Sequence, residues 1–330
     1  MALLFAIIVP FKSLNKFVLK CIEECLNQSI RDFEIILLPD EKISLKELEN
    51  KFGKKSLQKI KVIATGANIA HGIISAKRNI GIKNTRAKFL GFVDSDAYPQ
   101  KQWLESALPL LQDSKVGIVG GPNLAPKNIG FWEKIIIKSM NLDVTYKGLY
   151  SVFNTLGKYK GYRKYKEFAS SNLLMPRELC LKIGMFDEDY LTGEDMKLCA
   201  EARKTGKLIL FNKETAVHHH SRPNLGIHFK RIMQYARGKH ITLRKDKKIP
   251  VFNWMLSAFS LLIFFSLAII FFPMLWQFYA IVFGIYFFVI AADCVINGIF
   301  LELPFCMLTV FLTHFAYGLG SIQGFFGEKA

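Results

Sequence analysis

Asp94 and Asp96 close an apolar run, Phe89–Val93, and far along the chain Glu194 and Asp195 open a stretch of helical character. Asp-x-Asp at a strand end is a compact way to hold a divalent cation against a diphosphate. Carboxylate oxygens are hard ligands, and hydrated Mg²⁺ or Mn²⁺ needs only one or two of them. A second, separate carboxylate can then take a proton from an acceptor hydroxyl. That division of labour suits transfer of a sugar from a nucleotide diphosphate. Both pairs also have a plainer reading. Asp and Ser favour turns, and acids in the first turn of a helix are stabilised by its dipole.

The elements that must position these groups alternate between strand and helix. Leu3–Val9 reads as a strand, and Leu14–Asn27 as a helix with Phe17, Val18, Cys21, Ile22 and Cys25 on one side. Phe33–Leu38, Ile60–Ala64 and Ala87–Val93 read as further strands, with helices over Ile43–Phe52 and Ile74–Lys83 between them. This repeat predicts a mostly parallel sheet with helices on both faces. In such sheets ligands bind beyond the carboxyl ends of the strands, where Pro10-Phe11, Asp40 and Asp94 lie. Further on, helices are expected over Gln102–Leu111, Pro176–Ile183 and Asp195–Thr205. Strands are expected over Val116–Val119, Phe168–Met175, Leu208–Phe211 and Thr215–His219. Residues 144–166, rich in Tyr, Lys and Gly, read as a loop, either over the crevice or on the surface.

Charge and hydropathy divide the 330 residues into 1–224, 225–250 and 251–330. Between Val251 and Phe326 there is no Lys or Arg, and Asp293 and Glu302 are the only acids. Three apolar stretches there, near 251–272, 275–297 and 304–326, each match the roughly 20 residues that a membrane helix needs. Asp293 and His314 fall inside them, where ionisable groups are costly and tend to pair; pairing with each other is one expectation. The formal net charge of +17 is concentrated ahead of Val251, in residues such as Lys230, Arg231, Arg237, Lys239, Arg244 and Lys245. This bias predicts a multi-pass inner-membrane protein with residues 1–250 in the cytoplasm. Leu225–Ile241 is basic and amphipathic and suits a helix in the membrane interface. Charge gathered beside a bilayer, with no nucleic-acid module, argues against a nucleic-acid partner. Met1–Pro10 is too short and lacks the basic flank of a signal peptide, so it reads as a buried strand. The six cysteines form no Cys-x-x-Cys and read as packed thiols.

Taken together, these segments resemble a family 2 glycosyltransferase with the GT-A fold, followed by a membrane anchor. The matching pieces are Ile7-Ile8-Val9-Pro10, Ser75-Ala-Lys-Arg78-Asn79, Phe92-Val93-Asp94-Ser95-Asp96, Ser171-Asn172, Gly184-Met-Phe186-Asp187, Gly193-Glu194-Asp195 and Ala216-Val217-His218. The resemblance implies an inverting transfer from a UDP- or GDP-linked sugar with Mn²⁺ or Mg²⁺ as cofactor. In that reading Pro10, Phe11 and Asp40 border the nucleotide, and Arg78 sits near the base or diphosphate. Asp94 meets the ribose or diphosphate, and Ser171 and Asn172 join the nucleotide-sugar site. Asp96 binds the metal, and His218, which matches the family's histidine, is a further ligand. Asp195 is the general base, with Glu194 supporting it or meeting the acceptor.

The family's processive synthases carry Gln-x-x-Arg-Trp after this point. Here the chain reads Gln234-Tyr-Ala-Arg237-Gly238, without the indole that would stack on a growing chain. Gln234 and Arg237 are therefore expected at the acceptor or the interface. The acceptor itself is expected to be a lipid-linked glycan or polyprenyl phosphate. A polysaccharide synthase and a catalytically silent nucleotide-sugar-binding scaffold are the alternatives.

Overall fold

The computed structural model describes residues 3–65, 74–145, 162–165, 167–190, 192–245, 257–261, 263 and 275–327. The chain forms two compact units, residues 1–126 with 152–220, and residues 127–151 with 221–330.

In the first unit, β1 (Phe5–Phe11) is buried along its whole length. Phe5, Ile7 and Val9 enter one core, and Ala6 and Ile8 enter another. A strand buried on both faces needs an unbroken apolar run, which explains the opening of the sequence. β1 pairs in parallel with β2 (Phe33–Pro39) and β4 (Phe89–Phe92), and β2 pairs with β3 (Ile60–Val62). The eight-stranded sheet runs β3-β2-β1-β4-β9-β6-β10-β8. Its further strands are β6 (Val116–Gly120), β8 (Tyr162–Lys164), β9 (Leu173–Pro176) and β10 (Leu208–Asn212). A smaller sheet sets β11 (Val217–His219) between β5 (Ala97–Pro99) and β7 (Asn123–Leu124).

Helices cover both faces, as the alternating pattern predicts. On the first face lie α1 (Lys16–Leu26), α2 (Leu45–Phe52) and α5 (Trp103–Gln112), with the short α3 (Lys54–Leu57) following α2. On the other lie α4 (Ile74–Lys83), α7 (Arg177–Lys182) and α8 (Glu194–Lys204). The Asn15 carboxamide oxygen accepts from the Phe17 and Val18 amides and starts α1. The single strand expected over Phe168–Met175 is instead a 3₁₀ turn, Ser170–Asn172, followed by β9. β9 runs antiparallel to both β4 and β6 and so interrupts the parallel order.

Helix α4 does not follow the usual division into an apolar and a polar side. Ser75, Lys77, Arg78 and Asn79 are buried in it alongside Gly81 and Ile82. For Lys77, Arg78 and Asn79 the cost of burial is offset by hydrogen-bonding partners, and those partners define the candidate site.

The second unit contains α6 (Phe131–Met140), α9 (Leu225–Lys245), α10 (Trp276–Ile296) and α11 (Leu303–Phe326). Helices α10 and α11 are long and apolar enough to cross a membrane. The first apolar stretch expected, near 251–272, falls mostly outside the described residues, as does most of the 144–166 loop. Residues 127–151 cluster with the C-terminal helices rather than with the sheet. Asp293 and His314 do not pair with each other. Asp293 accepts from the Val144 amide and from Asn297, and His314 Nδ1 lies 2.9 Å from the Tyr286 hydroxyl.

The apolar side of α9, which its sequence suggests would face lipid, is spent on α11. Ile232 and Ala236 pack on Ala316 and Tyr317. Close approach needs small residues, and a Cβ at Gly320 would sit 2.2 Å from the Met233 carbonyl oxygen. Gly320→Val should therefore force the two helices apart and cost at least about 1–3 kcal/mol, read as a lower melting temperature in detergent. Gly284→Val on α10, where a Cβ meets nothing within 4 Å, should leave it unchanged.

Candidate active site

Strand β4 delivers Asp94 and Asp96 to its carboxyl end, as the sequence pattern predicts. The chain then turns, with the Ala97 amide donating to the Asp94 carbonyl, and enters β5. β5 pairs antiparallel with β11 so that His219 stands opposite Ala97 and His218 opposite Tyr98. The His220 amide donates to the Asp96 carbonyl and extends the pairing. Alternation along β11 then sends neighbouring imidazoles to opposite sides. His219 Nε2 lies 3.2 Å from Asp96 Oδ1.

This geometry corrects the histidine expected as a ligand. His218 points elsewhere, its Nδ1 3.1 Å from the Ala125 carbonyl. That oxygen can only accept, so Nδ1 carries the proton. His220 packs edge-on against Phe17 and Tyr98. One oxygen each from Asp94 and Asp96 and one nitrogen of His219 lie within 4.8 Å of one another. Two hard carboxylates and one imidazole, partly open to solvent, fit Mn²⁺ or Mg²⁺ with room for other ligands.

Arg78 on α4 does not face the crevice. Its side chain is 2% exposed and sits between two acids. Nη2 donates to Asp94 Oδ1 at 2.9 Å, and Nη1 donates to Glu194 Oε1 at 2.8 Å. Arg78, expected near the base or diphosphate, bridges the two acidic motifs. The plainer reading of Glu194-Asp195, acids that merely open a helix, describes their position at the start of α8 but not this bridge.

Asp195 lies beside Glu194 and is held by two backbone amides. Ser170 N–H donates to Oδ2 at 3.2 Å and Met196 N–H to Oδ1 at 2.8 Å. Its pKa is raised to about 7, chiefly by burial and then by the Glu194 charge, while Arg78 and the two amides oppose the rise.

At the ends of β1 and β2, Lys77 completes a second polar cluster. Its buried ammonium is 2.5 Å from Asp40 Oδ1 and donates to the Phe11 carbonyl at 3.0 Å. Thr65 also donates to Asp40. Pro10, one residue earlier, is paired with Leu38 in the sheet. Pro10, Phe11, Asp40 and Asp94 therefore lie at the carboxyl ends of β1, β2 and β4, as parallel topology requires, and Arg78 reaches Asp94 from α4.

Ser171 and Asn172 have other work. Asn172 accepts from Trp103 Nε1 at 2.8 Å and donates to the Thr215 and Pro122 carbonyls. Ser171 Oγ accepts from Asn123. Both side chains are buried and tie the sheets together. Gln234 and Arg237 are exposed on α9 in the second unit.

Three contributors have no separate role in the sequence reading: Lys77, Asn79 and His219. Asn79 exchanges hydrogen bonds with the backbone of Phe186 and donates to Glu188. The available signal for Lys77 and Asn79 was their polarity inside a helix flanked by buried strands.

Comparison with known proteins places these observations in context. Residues 6–184 match the family described as "Glycosyl transferase family 2". The chain is 33% identical over 118 residues to "Uncharacterized glycosyltransferase EpsJ" of Bacillus subtilis (strain 168), covering 36% of this chain and 33% of that protein. It is 24% identical over 200 residues to "Glycosyltransferase AglE" of Haloferax volcanii, covering 59% of this chain and 56% of that protein. These two matches thus span about a third and just over half of the relatives' own lengths. A third relative, from Methanococcus voltae, is named "Dolichyl N-acetyl-alpha-D-glucosaminyl phosphate 3-beta-D-2,3-diacetamido-2,3-dideoxy-beta-D-glucuronosyltransferase". It is 24% identical over 256 residues, covering 73% of this chain and 74% of the relative. Among solved structures, the mannosyltransferase PcManGT from Pyrobaculum calidifontis, in complex with GDP-Man and Mn²⁺, shares the fold. It superposes with a TM-score of 0.57 at 12% identity, covering 99% of this chain and 88% of that one. GalNAc-T7 with UDP, GalNAc and Mn²⁺ superposes with a TM-score of 0.51 at 17% identity, over 71% of this chain and 48% of that chain.

The raised pKa of Asp195 has a consequence for stability. Its folded value, about 7, lies above the ordinary carboxylate value of 3.8, so the folded state holds this proton more tightly than the unfolded one. The ionised form therefore opposes folding, by an amount that grows from about pH 4 to about pH 7 and then levels off. Asp195→Asn, neutral throughout, should gain melting temperature relative to wild type as pH rises from 5 to 8. Paired thermal melts at those two pH values check this, and a constant difference would contradict it.

Proposed function

Because the chain belongs to glycosyl transferase family 2, we propose that it is a membrane-anchored, inverting glycosyltransferase. It moves a sugar from a UDP- or GDP-linked donor to a lipid-linked or polyprenyl-phosphate acceptor. The observation that carries the reading is the bridge through Arg78, which joins the Asp94–Asp96–His219 cluster to the Glu194–Asp195 pair. A site for the leaving group and a candidate base are thereby held in one framework.

Asp94, Asp96 and His219 would hold the divalent ion, whose chemistry is to neutralise charge on a departing diphosphate. Lys77 fixes Asp40 and the end of β1, where a nucleotide would lie in a parallel sheet. Asp195 would accept the proton of the attacking hydroxyl. A base with a pKa near 7 is matched to that task at neutral pH, and the Ser170 and Met196 amides orient its carboxylate. Attack from the face opposite the leaving group inverts the anomeric carbon. The donor class is supported by the bound ligands of the two structural neighbours, GDP-Man and UDP, each with Mn²⁺. The name of the Methanococcus voltae relative supports an acceptor carried on a lipid phosphate. The basic sequence ahead of the apolar helices supports anchoring with the catalytic unit in the cytoplasm.

Purified protein in detergent, screened against a nucleotide-sugar panel with Mn²⁺ and Mg²⁺, tests the whole reading. Asp96→Ala and His219→Ala should each abolish metal-stimulated turnover, while His218→Ala retains it. Full activity of Asp96→Ala in the presence of chelator would sink the metal assignment. Asp195→Asn should lose about 10²–10⁴-fold in rate with donor affinity nearly unchanged. Near-normal turnover in that variant would remove Asp195 from the mechanism.

A further inference from the structure

Asp195 takes its two backbone hydrogen bonds from different sources. The Met196 amide belongs to its own helix, α8, but the Ser170 amide comes from the 3₁₀ turn Ser170–Asn172. Whatever fixes that turn therefore helps to aim the carboxylate.

The turn stands where the Asp94–Asp96 segment begins. Strand β9 follows it, lies between β4 and β6, and runs antiparallel to both, with Leu173 opposite Phe92 and Gly120. Residues 170–172 thus lie at the carboxyl ends of β4 and β6, and the chain continues from β4 into Asp94. Glycine makes the room. A Cβ at Gly120 would meet the Asn172 carbonyl oxygen and the Phe168 ring, each at 2.7 Å.

Asn172 commits its whole carboxamide to holding this turn. The side chain is buried. Its amide donates to the Thr215 carbonyl at 2.9 Å, just ahead of β11, and to the Pro122 carbonyl at 3.4 Å, just after β6. Its oxygen accepts from Trp103 Nε1 at 2.8 Å. Trp103 is itself buried, and its indole packs on β4 at Gly91, where a Cβ would come within 2.6 Å of the ring. Buried partners of this kind are costly to leave half-bonded. Helix α8 is seated on the same segment by residues one turn apart. Asp195 meets the Ser170 amide, and Cys199 Sγ lies 3.4 Å from the Phe168 amide and 3.8 Å from its carbonyl oxygen.

We propose that Asn172, backed by Trp103, is a positioning residue for the transfer: it fixes the turn whose Ser170 amide orients the Asp195 carboxylate. The proposal rests on the reading of Asp195 as the base. Burial and the Glu194 charge raise the Asp195 pKa, while Arg78 on α4 and the Met196 and Ser170 amides lower it. Cys199 also faces it along α8. Loss of the Ser170 amide removes a donor to the ionised form and therefore raises that pKa further.

Asn172→Ala tests this in the full chain in detergent, beside Asp195→Asn and the double variant. Turnover is followed with the UDP- or GDP-sugar that the nucleotide-sugar panel identifies. Per folded molecule it should fall by up to about 10²-fold, with donor KM nearly unchanged. The acid limb of kcat, which reports the base in the enzyme–substrate complex, should move to higher pH. Melting needs no substrate. The deficit of Asn172→Ala against wild type should be larger at pH 8 than at pH 5, and equal at both in the Asp195→Asn background. A raised donor KM with the limb in place would make Asn172 a donor-binding residue. A pH-independent melting deficit with normal turnover would make it part of the frame only. Either result overturns the proposal. Normal turnover of Asp195→Asn would remove the base assignment and the proposal with it. Loss of turnover there, with Asn172→Ala behaving as wild type, leaves the base in place and overturns the positioning role alone. Should Asn172→Ala not fold, Trp103→Phe, which loses the Nε1–H donor but keeps a ring, is read for the same outcomes. Ser170→Pro deletes the amide itself. Ala169 before it is already extended, at φ −72° and ψ 146°, as proline requires of its neighbour. An unmoved limb in that variant would also overturn the proposal.

Discussion

The fold of the sheet-bearing unit turns on one buried guanidinium. Arg78 is almost wholly removed from water, and a desolvated charge is tolerated only with compensating partners of good geometry. It has two, Asp94 at the end of β4 and Glu194 at the start of α8. Removing one partner of such an arrangement costs about 3–5 kcal/mol, so segments far apart in sequence are obliged to meet here. Arginine is suited to the position because its planar fork can reach two acids at once, whereas lysine is a single point charge. The Phe186 ring, 5.3 Å from the guanidinium, closes another side.

The residues on either side of Arg78 extend the same logic. Successive side chains on a helix leave the axis about 100° apart, so Lys77, Arg78 and Asn79 reach three different places. Lys77 holds Asp40 and the end of β1. Arg78 joins the two acidic motifs. Asn79 fastens the turn that contains Phe186 and Glu188, where Met185 has a positive φ of 63°. A single turn of α4 thus links the carboxyl ends of β1 and β2, the Asp94–Asp96–His219 cluster and the start of α8. This is why a helix with little apolar patterning is nonetheless buried.

What could be read from the sequence follows from how local each determinant is. The apolar runs of β1, β2 and β4 are buried on both sides, so their composition alone marks them, and the carboxylates at their ends follow from parallel topology. His219 could not be separated from His218 in this way. Alternation places them on opposite sides, but which side faces Asp96 depends on the register between β5 and β11, a pairing of segments far apart in the chain. Asn172 was indistinguishable from a ligand-binding residue because a polar side chain near a motif looks alike whether it meets a donor or the Trp103 indole. The division at residue 224 leaves the α6 segment with the sheet by sequence continuity. Its buried face is completed by α10 and α11, far along the chain, as the core shared by Ile135, Ile290, Cys294, Cys306 and Val310 and the Lys138–Glu302 pair record.

The candidate base shows how the same contacts set chemistry as well as structure. Burial and the neighbouring Glu194 charge both favour the protonated form of Asp195, and by themselves they would push its titration further upward. Arg78 acts in the opposite direction, through the guanidinium that already neutralises Glu194. Two backbone amides, from Ser170 and Met196, add to that restraint. The balance falls at about 7, where a carboxylate is basic enough to take a proton yet substantially ionised near neutrality. The bridge that brings the two acidic motifs together is therefore also one of the groups that restrains the rise in the Asp195 pKa.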